Sequence, residues 1–189
     1  MQVAVEHNLT AADYLALEES SDLRHEYVAG EVYAMTGGSQ RHNRIALNIA
    51  SRLLAALSGR PCQVFMSDVK LHVARDTAYY YPDVMVTCGG PATATESVVV
   101  TDPVVVVEVL SPGTEAIDRR EKLAAYRSLP SLGEYVLVSQ ERMMVEIHRR
   151  QGEAGWLYLS GEAGDTLTLE SLQVGMPVND LYAGTDITA

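Results

Sequence analysis

The chain of 189 residues has little of three things that would point to a special class of protein: cysteine, long apolar runs and positive charge. Its two cysteines, Cys62 and Cys88, are expected to be packed thiols in a reducing cytoplasm rather than a redox pair. The longest aliphatic run, Val104–Val107, is far too short to cross a membrane. The N-terminal segment lacks the basic and apolar regions of a secretion signal. These absences predict a cytoplasmic protein without a transmembrane helix.

Positive charge is scarce, with 14 basic against 25 acidic residues and a net charge of −11. Such a balance is a poor match for a protein that holds nucleic acid by bulk charge, so any surface that binds phosphate must be local. The densest basic stretches are residues 41–44, 118–122 and 148–150. Each of them, taken alone, is typical of a solvated face.

What is present is a single domain of ordinary size, 47% apolar, with clear secondary-structure patterns. Thr10 is the expected cap of a first helix, and a glycine turn at Ala29–Gly30 predicts a hairpin. A long helix is expected from Ser39, with its apolar residues at helical spacing. Strands should begin at residue 62, and a later helix should end at Pro130. The order predicts an α+β, or mixed α/β, domain: one central sheet flanked by helices, with an N-terminal hairpin and C-terminal antiparallel strands.

Two carboxylates lie in stretches that are otherwise typical of buried, apolar strands. Asp83 follows Pro82 in "YYYPDVMV", and Glu108 lies in "VVVVEVLS". An isolated buried carboxylate costs several kcal/mol, and two side by side repel by about 4 kcal/mol at 4 Å with an effective dielectric of 20. A divalent cation removes both penalties, and Mg²⁺ favours one or two carboxylates plus waters and phosphate oxygens. We therefore predict a Mg²⁺ site at Asp83 and Glu108.

Lys122 is the third candidate, on the helix that follows Glu108. Asp118 is four residues before it and Tyr126 four residues after, so the three share one helix face. Lys122 is either a surface partner of Asp118 or a cation that points to the metal site. In the second case it orients an attacking water or neutralises charge that develops on a phosphate.

Several stretches in order resemble a known family. "LRHEYVAGEVYAM", "GGSQRHNRIALNI", "PDVMVTC", "VVVEVLSPGTEAIDRREKLAAYRSLPSLGEYVLV" and "HRR" are similar to the Uma2 (DUF820) family of restriction-endonuclease-like proteins. The pair "PD" and "VEV" also resembles the PD-(D/E)XK nuclease signature. The resemblance covers residues 10–182 of a domain that spans residues 1–189. It implies a restriction-endonuclease-like fold with Asp83 and Glu108 as metal ligands.

The sequence departs from that signature at Leu110, where the signature has lysine two positions after the glutamate. Lys122 is the first candidate to replace it, and Lys70, on a strand expected beside that of Asp83, is the second. His42, near the start of the long helix, is similar to a recurring family position and could meet phosphate or position a water.

Two glutamates on the hairpin, Glu26 and Glu31, are alternative sources of a further carboxylate, because many nucleases of this fold have an acidic residue near the first core helix. For each of the two, the pattern alone favours a structural role. Asp68 belongs to the same uncertain outer group.

The resemblance implies an endonuclease that uses Mg²⁺ or Mn²⁺ to hydrolyse DNA, with Asp83, Glu108 and Lys122 as its catalytic residues. Cleavage of both strands of a duplex would favour a homodimer. The alternative is a nuclease fold with weak or no turnover that binds nucleic acid or protein, which Leu110 and the charge of −11 both favour.

Overall fold

The computed structural model describes residues 4–35, 37–73, 77–90 and 96–188. The helices are α1 (Ala11–Ser20), α2 (Gln40–Ala56), α3 (Glu115–Ile117), α4 (Leu123–Arg127) and α5 (Val178–Leu181). A π-helical turn, Asp118–Lys122, joins α3 to α4, and a short 3₁₀ turn lies at Gly152–Ala154. The strands are β1 (Ala4–Glu6), β2 (His25–Val28), β3 (Glu31–Ala34), β4 (Cys62–Met66), β5 (Lys70–Val73), β6 (Ala78–Tyr80), β7 (Val84–Cys88), β8 (Val99–Val100), β9 (Val105–Leu110), β10 (Glu134–Ser139), β11 (Met144–Arg150), β12 (Trp156–Glu162), β13 (Thr166–Leu169) and β14 (Val174–Pro177).

The predicted helix starts are confirmed by their caps. The Thr10 hydroxyl accepts the Asp13 N–H, and the Asp13 carboxylate accepts the Thr10 N–H, which makes a capping box. Ser39 caps α2 by accepting the N–H of His42 at 3.1 Å. The cap fixes His42 in the first turn of α2.

Within the described residues, the strands form two six-stranded sheets and one two-stranded sheet, where a single central sheet was expected. The first sheet has the order β1-β3-β2-β6-β5-β8 and contains the hairpin. The second has the order β12-β11-β10-β9-β7-β4, in which β9 and β10 are parallel and the other neighbours antiparallel. The mixed α/β class is confirmed.

The stretch "YYYPDVMV" is the reason that the sheets separate. Tyr79 and Tyr80 end β6 in the first sheet, whereas Val84 begins β7 in the second. Pro82 lies between them, where it has no N–H to give to a ladder, and its carbonyl accepts the Ser67 N–H at 3.2 Å. Asp83 therefore lies at the junction of the two sheets.

Strand β9 is covered on both faces, as the valine run predicted. All six of its residues are buried. Val105, Val107 and Val109 pack with α2, and Val106 and Leu110 pack under the helical stretch of residues 115–127. Glu108, on the second of these faces, is the polar exception.

The expectation of packed thiols is wrong, because Cys62 and Cys88 form a disulfide. The two residues lie directly opposite each other in the antiparallel pair β4–β7, with their Cα atoms 4.0 Å apart. A separation of 26 residues in the chain carries no sign of that pairing. The register of β4 against β7 brings the sulfurs together.

Within the described part of the chain, no helix is both long enough and apolar enough to cross a bilayer.

Candidate metal and catalytic site

A cavity of about 570 Å³ opens where the two sheets and α2 meet. Among the residues that line it are six of the acidic and basic candidates: Glu26, His42, Asp68, Asp83, Glu108 and Lys122. The structure therefore brings together the three residues first predicted as catalytic, although they come from a sheet junction, a buried strand and a helix.

Asp83 is held by the strand beside it. Its Oδ2 accepts the Val109 N–H at 2.7 Å, and its own N–H donates to Glu108 Oε2 at 3.3 Å. These two hydrogen bonds fix the carboxylates of Asp83 and Glu108 side by side through backbone groups. A pair preset by the fold loses little conformational freedom when it binds a cation.

Glu108 is 3% exposed and has donors on both oxygens. Its Oε1 accepts from Lys122 Nζ at 3.2 Å and from the Tyr126 hydroxyl at 2.9 Å. Burial raises the pKa of Glu108 well above its usual value, and this outweighs the opposing effect of Lys122. The position is costly for a carboxylate unless more positive charge is supplied.

Lys122 Nζ is surrounded by carboxylates. It lies 2.9 Å from Glu26 Oε1, 3.2 Å from Glu108 Oε1 and 3.4 Å from Asp118 Oδ1. Burial lowers the pKa of Lys122, but the charges of Glu108, Glu26 and Asp118 outweigh it and hold the pKa well above its usual value. Lys122 is therefore a buried, permanently charged ammonium.

Asp118 and Lys122 begin and end the π-helical turn, and both line the cavity. Wide turns of this kind are rare and concentrate at functional sites. Asp118 Oδ1 is buried without a hydrogen-bond partner, since its approach to Lys122 lacks hydrogen-bond geometry. Burial raises the pKa of Asp118, again against the effect of Lys122.

The charge of the site is unbalanced. Six carboxylates line the cavity, those of Asp22, Glu26, Asp68, Asp83, Glu108 and Asp118, against the guanidinium of Arg24 and the ammonium of Lys122. This donor set, together with the orphaned oxygen of Asp118, fits a divalent cation. Within the described ranges no three acidic, histidine or cysteine side chains are already arranged as ligands. The fit is thus to an ion held by two carboxylates with water and phosphate oxygens, as Mg²⁺ is commonly held.

His42 joins the site from the start of α2. Its Nε2 lies 3.2 Å from Asp83 Oδ2. Burial lowers the pKa of His42, but the hydrogen bond and charge of Asp83 more than offset this, so the pKa is raised. The His42 imidazole therefore helps to orient the Asp83 carboxylate from the side of α2.

A second buried network holds the segment that leads into Asp83. Glu18 Oε1, on α1, accepts the Tyr81 hydroxyl at 2.7 Å and the His25 N–H at 3.1 Å. The Tyr81 N–H donates to Glu26 Oε1 at 3.3 Å. Glu26 thus contacts both Lys122 and the backbone two residues before Asp83. Sequence reasoning missed Glu18 and His25, since nothing in their local pattern separates them from surface residues.

The remaining candidates lie elsewhere. Glu31, which lies on the hairpin, pairs with His7 and does not line the cavity. Lys70 is buried with its ammonium 5.5 Å from the centre of the Tyr81 ring, behind the cavity wall. Asp68 lies at the cavity mouth, 3.7 Å from Arg24. Of the two hairpin glutamates, Glu26 is the one that the fold brings to Lys122.

The fold is mixed α/β and of the restriction-endonuclease-like class. The fold matches the crystal structure of a DUF820 protein from Anabaena variabilis ATCC 29413, described as a "putative nuclease", with a TM-score of 0.76 and 16% identity over 93% of this chain and 98% of that one. The chain belongs to the Uma2 family, described as "Putative restriction endonuclease", which matches residues 11–179.

Two relatives from Synechocystis sp. PCC 6803 are similar along most of their length. The uncharacterized protein slr1290 is 36% identical over 93% of this chain and 92% of its own. The uncharacterized protein sll1609 is 37% identical over 83% of this chain and 89% of its own.

Proposed function

We propose that the protein is a metal-dependent endonuclease that hydrolyses phosphodiester bonds in DNA. The observation that carries the proposal is the fixed pair Asp83 and Glu108, joined by the Asp83 N–H and facing one cavity with Lys122. Membership of the Uma2 family supports the same class of reaction.

Asp83 and Glu108 would hold Mg²⁺ or Mn²⁺, since carboxylate oxygens are the ligands these ions prefer. A bound ion supplies Lewis acidity toward a phosphate oxygen and lowers the pKa of water. Glu26 and Asp118 add negative charge around that position, which favours a cation there.

Lys122 acts as a fixed positive charge rather than as a base, because its pKa is held high by the carboxylates around it. It holds Glu108 Oε1 in place and stabilises negative charge that develops on the phosphate. His42 and the first turn of α2 add a hydrogen-bonding imidazole and the positive end of a helix dipole at the same wall. Water attack on phosphorus gives a phosphate monoester and a hydroxyl, without a covalent enzyme intermediate.

We propose DNA as the substrate and a homodimer as the acting form, because the cleavage of both strands of a duplex favours two sites. The cytoplasm stays the predicted location. Disulfides are rare in the reducing cytoplasm, so the redox state of the Cys62–Cys88 pair in the cell bears on this predicted location.

One observation favours the alternative of a binding module without turnover. The ammonium of Lys122 is already surrounded by Glu26, Glu108 and Asp118, so it has to be shared before it can contact a phosphate. If Lys122 stays with these carboxylates, the site binds a cation but does not hydrolyse the phosphodiester bond.

The test is a cleavage assay with plasmid, single-stranded and branched DNA in the presence of Mn²⁺. The wild type is compared with Asp83→Ala/Glu108→Ala and with Glu31→Ala, a glutamate outside the cavity. Cleavage by the wild type and Glu31→Ala alone supports the proposal. Equal traces of cleavage in all three proteins would show a contaminant and favour the binding module.

A further inference from the structure

Among the described residues, strand β12 is the longest edge strand of the two large sheets. Its seven residues, Trp156–Glu162, pair with β11 on one side and end the second sheet. The other edge strands of the two large sheets have three, two and five residues: β1, β8 and β4. Leu157 and Tyr158 of β12 are 41% and 54% exposed. Exposed edges of this length are templates for pairing with another strand.

The register of β12 shows which backbone groups are on offer. Trp156 lies opposite Arg150, and next to this pair the Gln151 N–H donates to the Gly155 carbonyl at 2.8 Å. That bond marks Trp156 and Arg150 as a non-hydrogen-bonded pair of the antiparallel ladder. Hydrogen bonding alternates along a strand. The backbone N–H and C=O groups of the odd-numbered residues of β12 therefore bond to β11, and those of the even-numbered residues point away from β11.

The outward groups that matter are those of Tyr158 and Ser160. Glu162 also points outward, but Asp165 uses its groups: the Glu162 N–H donates to Asp165 Oδ2 at 2.8 Å, and its carbonyl accepts the Asp165 N–H at 3.0 Å. Among the described residues no strand pairs with the outer side of Tyr158 and Ser160. The strand also has no Lys, Arg or Pro, the residues that commonly protect an edge.

We propose that β12 pairs antiparallel with β12 of a second copy of the chain, around a two-fold axis at Leu159. Tyr158 of each copy then lies opposite Ser160 of the other, and these two pairs exchange their free N–H and carbonyl groups. Such an interface is isologous and closed, so it gives a dimer rather than a fibre. This inference is independent of the chemistry proposed for the cavity.

Charge selects the register. With the axis at Leu159, Glu162 of the second copy lies opposite Trp156, whose ring has the guanidinium groups of Arg150 and Arg127 at 4.5 and 5.4 Å. An axis at Tyr158 would instead place Glu162 opposite Ala154, beside Glu153, and would bring like charges together. The acidic end of the strand thus meets a basic pair in the first register and an acidic residue in the second.

The overall charge of −11 on each copy opposes association. Salt screens charges that are more than about 8 Å apart at 0.15 M ionic strength, while the short-range contacts across the edge persist. The mass in solution is therefore measured by sedimentation or light scattering at this ionic strength, over a wide range of protein concentration. We expect a doubling of the chain mass of 20.6 kDa.

Two kinds of variant test the strand itself. Ser160→Pro removes an outward N–H but none that bonds to β11, so it should return the mass to one chain while the Ser160→Ala control stays dimeric. Leu159→Cys places two sulfurs across the axis in a non-hydrogen-bonded pair, the geometry of Cys62 and Cys88, and mild oxidation should link the copies. Tyr158→Cys, opposite Ser160, should not link.

A wild type with the mass of one chain at all concentrations would overturn the proposal. So would a dimer that survives in a folded Ser160→Pro variant, or linkage through Tyr158→Cys in place of Leu159→Cys. If Ser160→Pro fails to fold, the two cysteine variants decide on their own.

Discussion

Lys122 Nζ lies 3.2 Å from Glu108 Oε1, and both side chains are almost completely buried. This ion pair joins the π-helical turn to the central strand β9. Because Glu26 and Asp118 also approach the same ammonium, one cation serves three carboxylates in the interior.

Removal of the Lys122 charge should destabilise the protein strongly. Lys122→Met leaves buried carboxylates without a partner, which typically costs about 3–5 kcal/mol of unfolding free energy. Urea denaturation at neutral pH measures it. The control is Arg120→Met, an exposed charge on the same turn, for which a change within about 0.5 kcal/mol is expected. Equal effects in the two variants would show that the buried pair contributes nothing.

The deficit of Lys122→Met should shrink as the pH falls. The pKa of Glu108 is raised above its ordinary value of 4.5 in the folded protein, so the folded state binds more protons than the unfolded state between these two pKa values. The penalty is absent below about 4.5, grows as the pH rises through this window, and is complete above the folded pKa. Urea midpoints of variant and wild type at several pH values test it. If the loss of stability in Lys122→Met does not change with pH, it does not come from the buried charge of Glu108.

Arg119 and Glu146 should contribute stability with the opposite pH dependence. Two nitrogens of Arg119 donate to the two oxygens of Glu146 at 2.8 and 2.7 Å, and this hydrogen bonding lowers the pKa of Glu146. A lowered pKa gives stability that is present above 4.5 and is lost as the pH falls through the folded pKa. Glu146→Gln should remove it, by up to about 1 kcal/mol because Arg119 is partly exposed. If Glu146→Gln loses as much stability as the wild type when the pH is lowered, this prediction is wrong.

The disulfide should stabilise the pairing of β4 with β7. It closes a separation of 26 residues, for which loss of the bond typically costs about 3 kcal/mol. The double variant Cys62→Ser/Cys88→Ser is compared with oxidised and reduced wild type by urea denaturation. Reduced wild type should match the double variant, and a reductant should leave the variant unchanged. An effect of reductant on the variant would point to a cause other than this bond.

Tyr81→Phe should weaken metal binding without unfolding the protein. The hydroxyl is held by Glu18, and Tyr81 leads directly through Pro82 into Asp83. Groups that orient a metal ligand commonly contribute about 10–100-fold in affinity. The control is Tyr79→Phe, a residue of the same run whose ring stacks on His72 at 4.4 Å. Mn²⁺ calorimetry that gives equal affinities for the two variants would show that Tyr81 only packs.

Local patterns predicted much of this fold and part of this site. Thr10 and Ser39 cap the helices they were expected to cap, because a cap depends on residues within one turn. Asp83, Glu108 and Lys122 could be singled out because charge inside apolar surroundings, and a family resemblance, mark them without any tertiary information.

What escaped prediction depends on pairing between distant strands. The tyrosines and Val84 form one β-favouring run in the sequence, yet Pro82 divides them between two sheets. Cys62 and Cys88 meet through strand register. Glu26 was one of two open choices, and only the hairpin's position against the π-helical turn directs it to Lys122.

The most direct test of the central claim is calorimetric titration of the protein with Mg²⁺ or Mn²⁺. The wild type is compared with Asp83→Ala and with Asp68→Ala, an acidic residue at the cavity mouth. Asp68→Ala should bind as the wild type does, and Asp83→Ala should lose binding, because the pair Asp83 and Glu108 is the proposed ligand set. If Asp83→Ala titrates like the wild type, the two-carboxylate site is wrong.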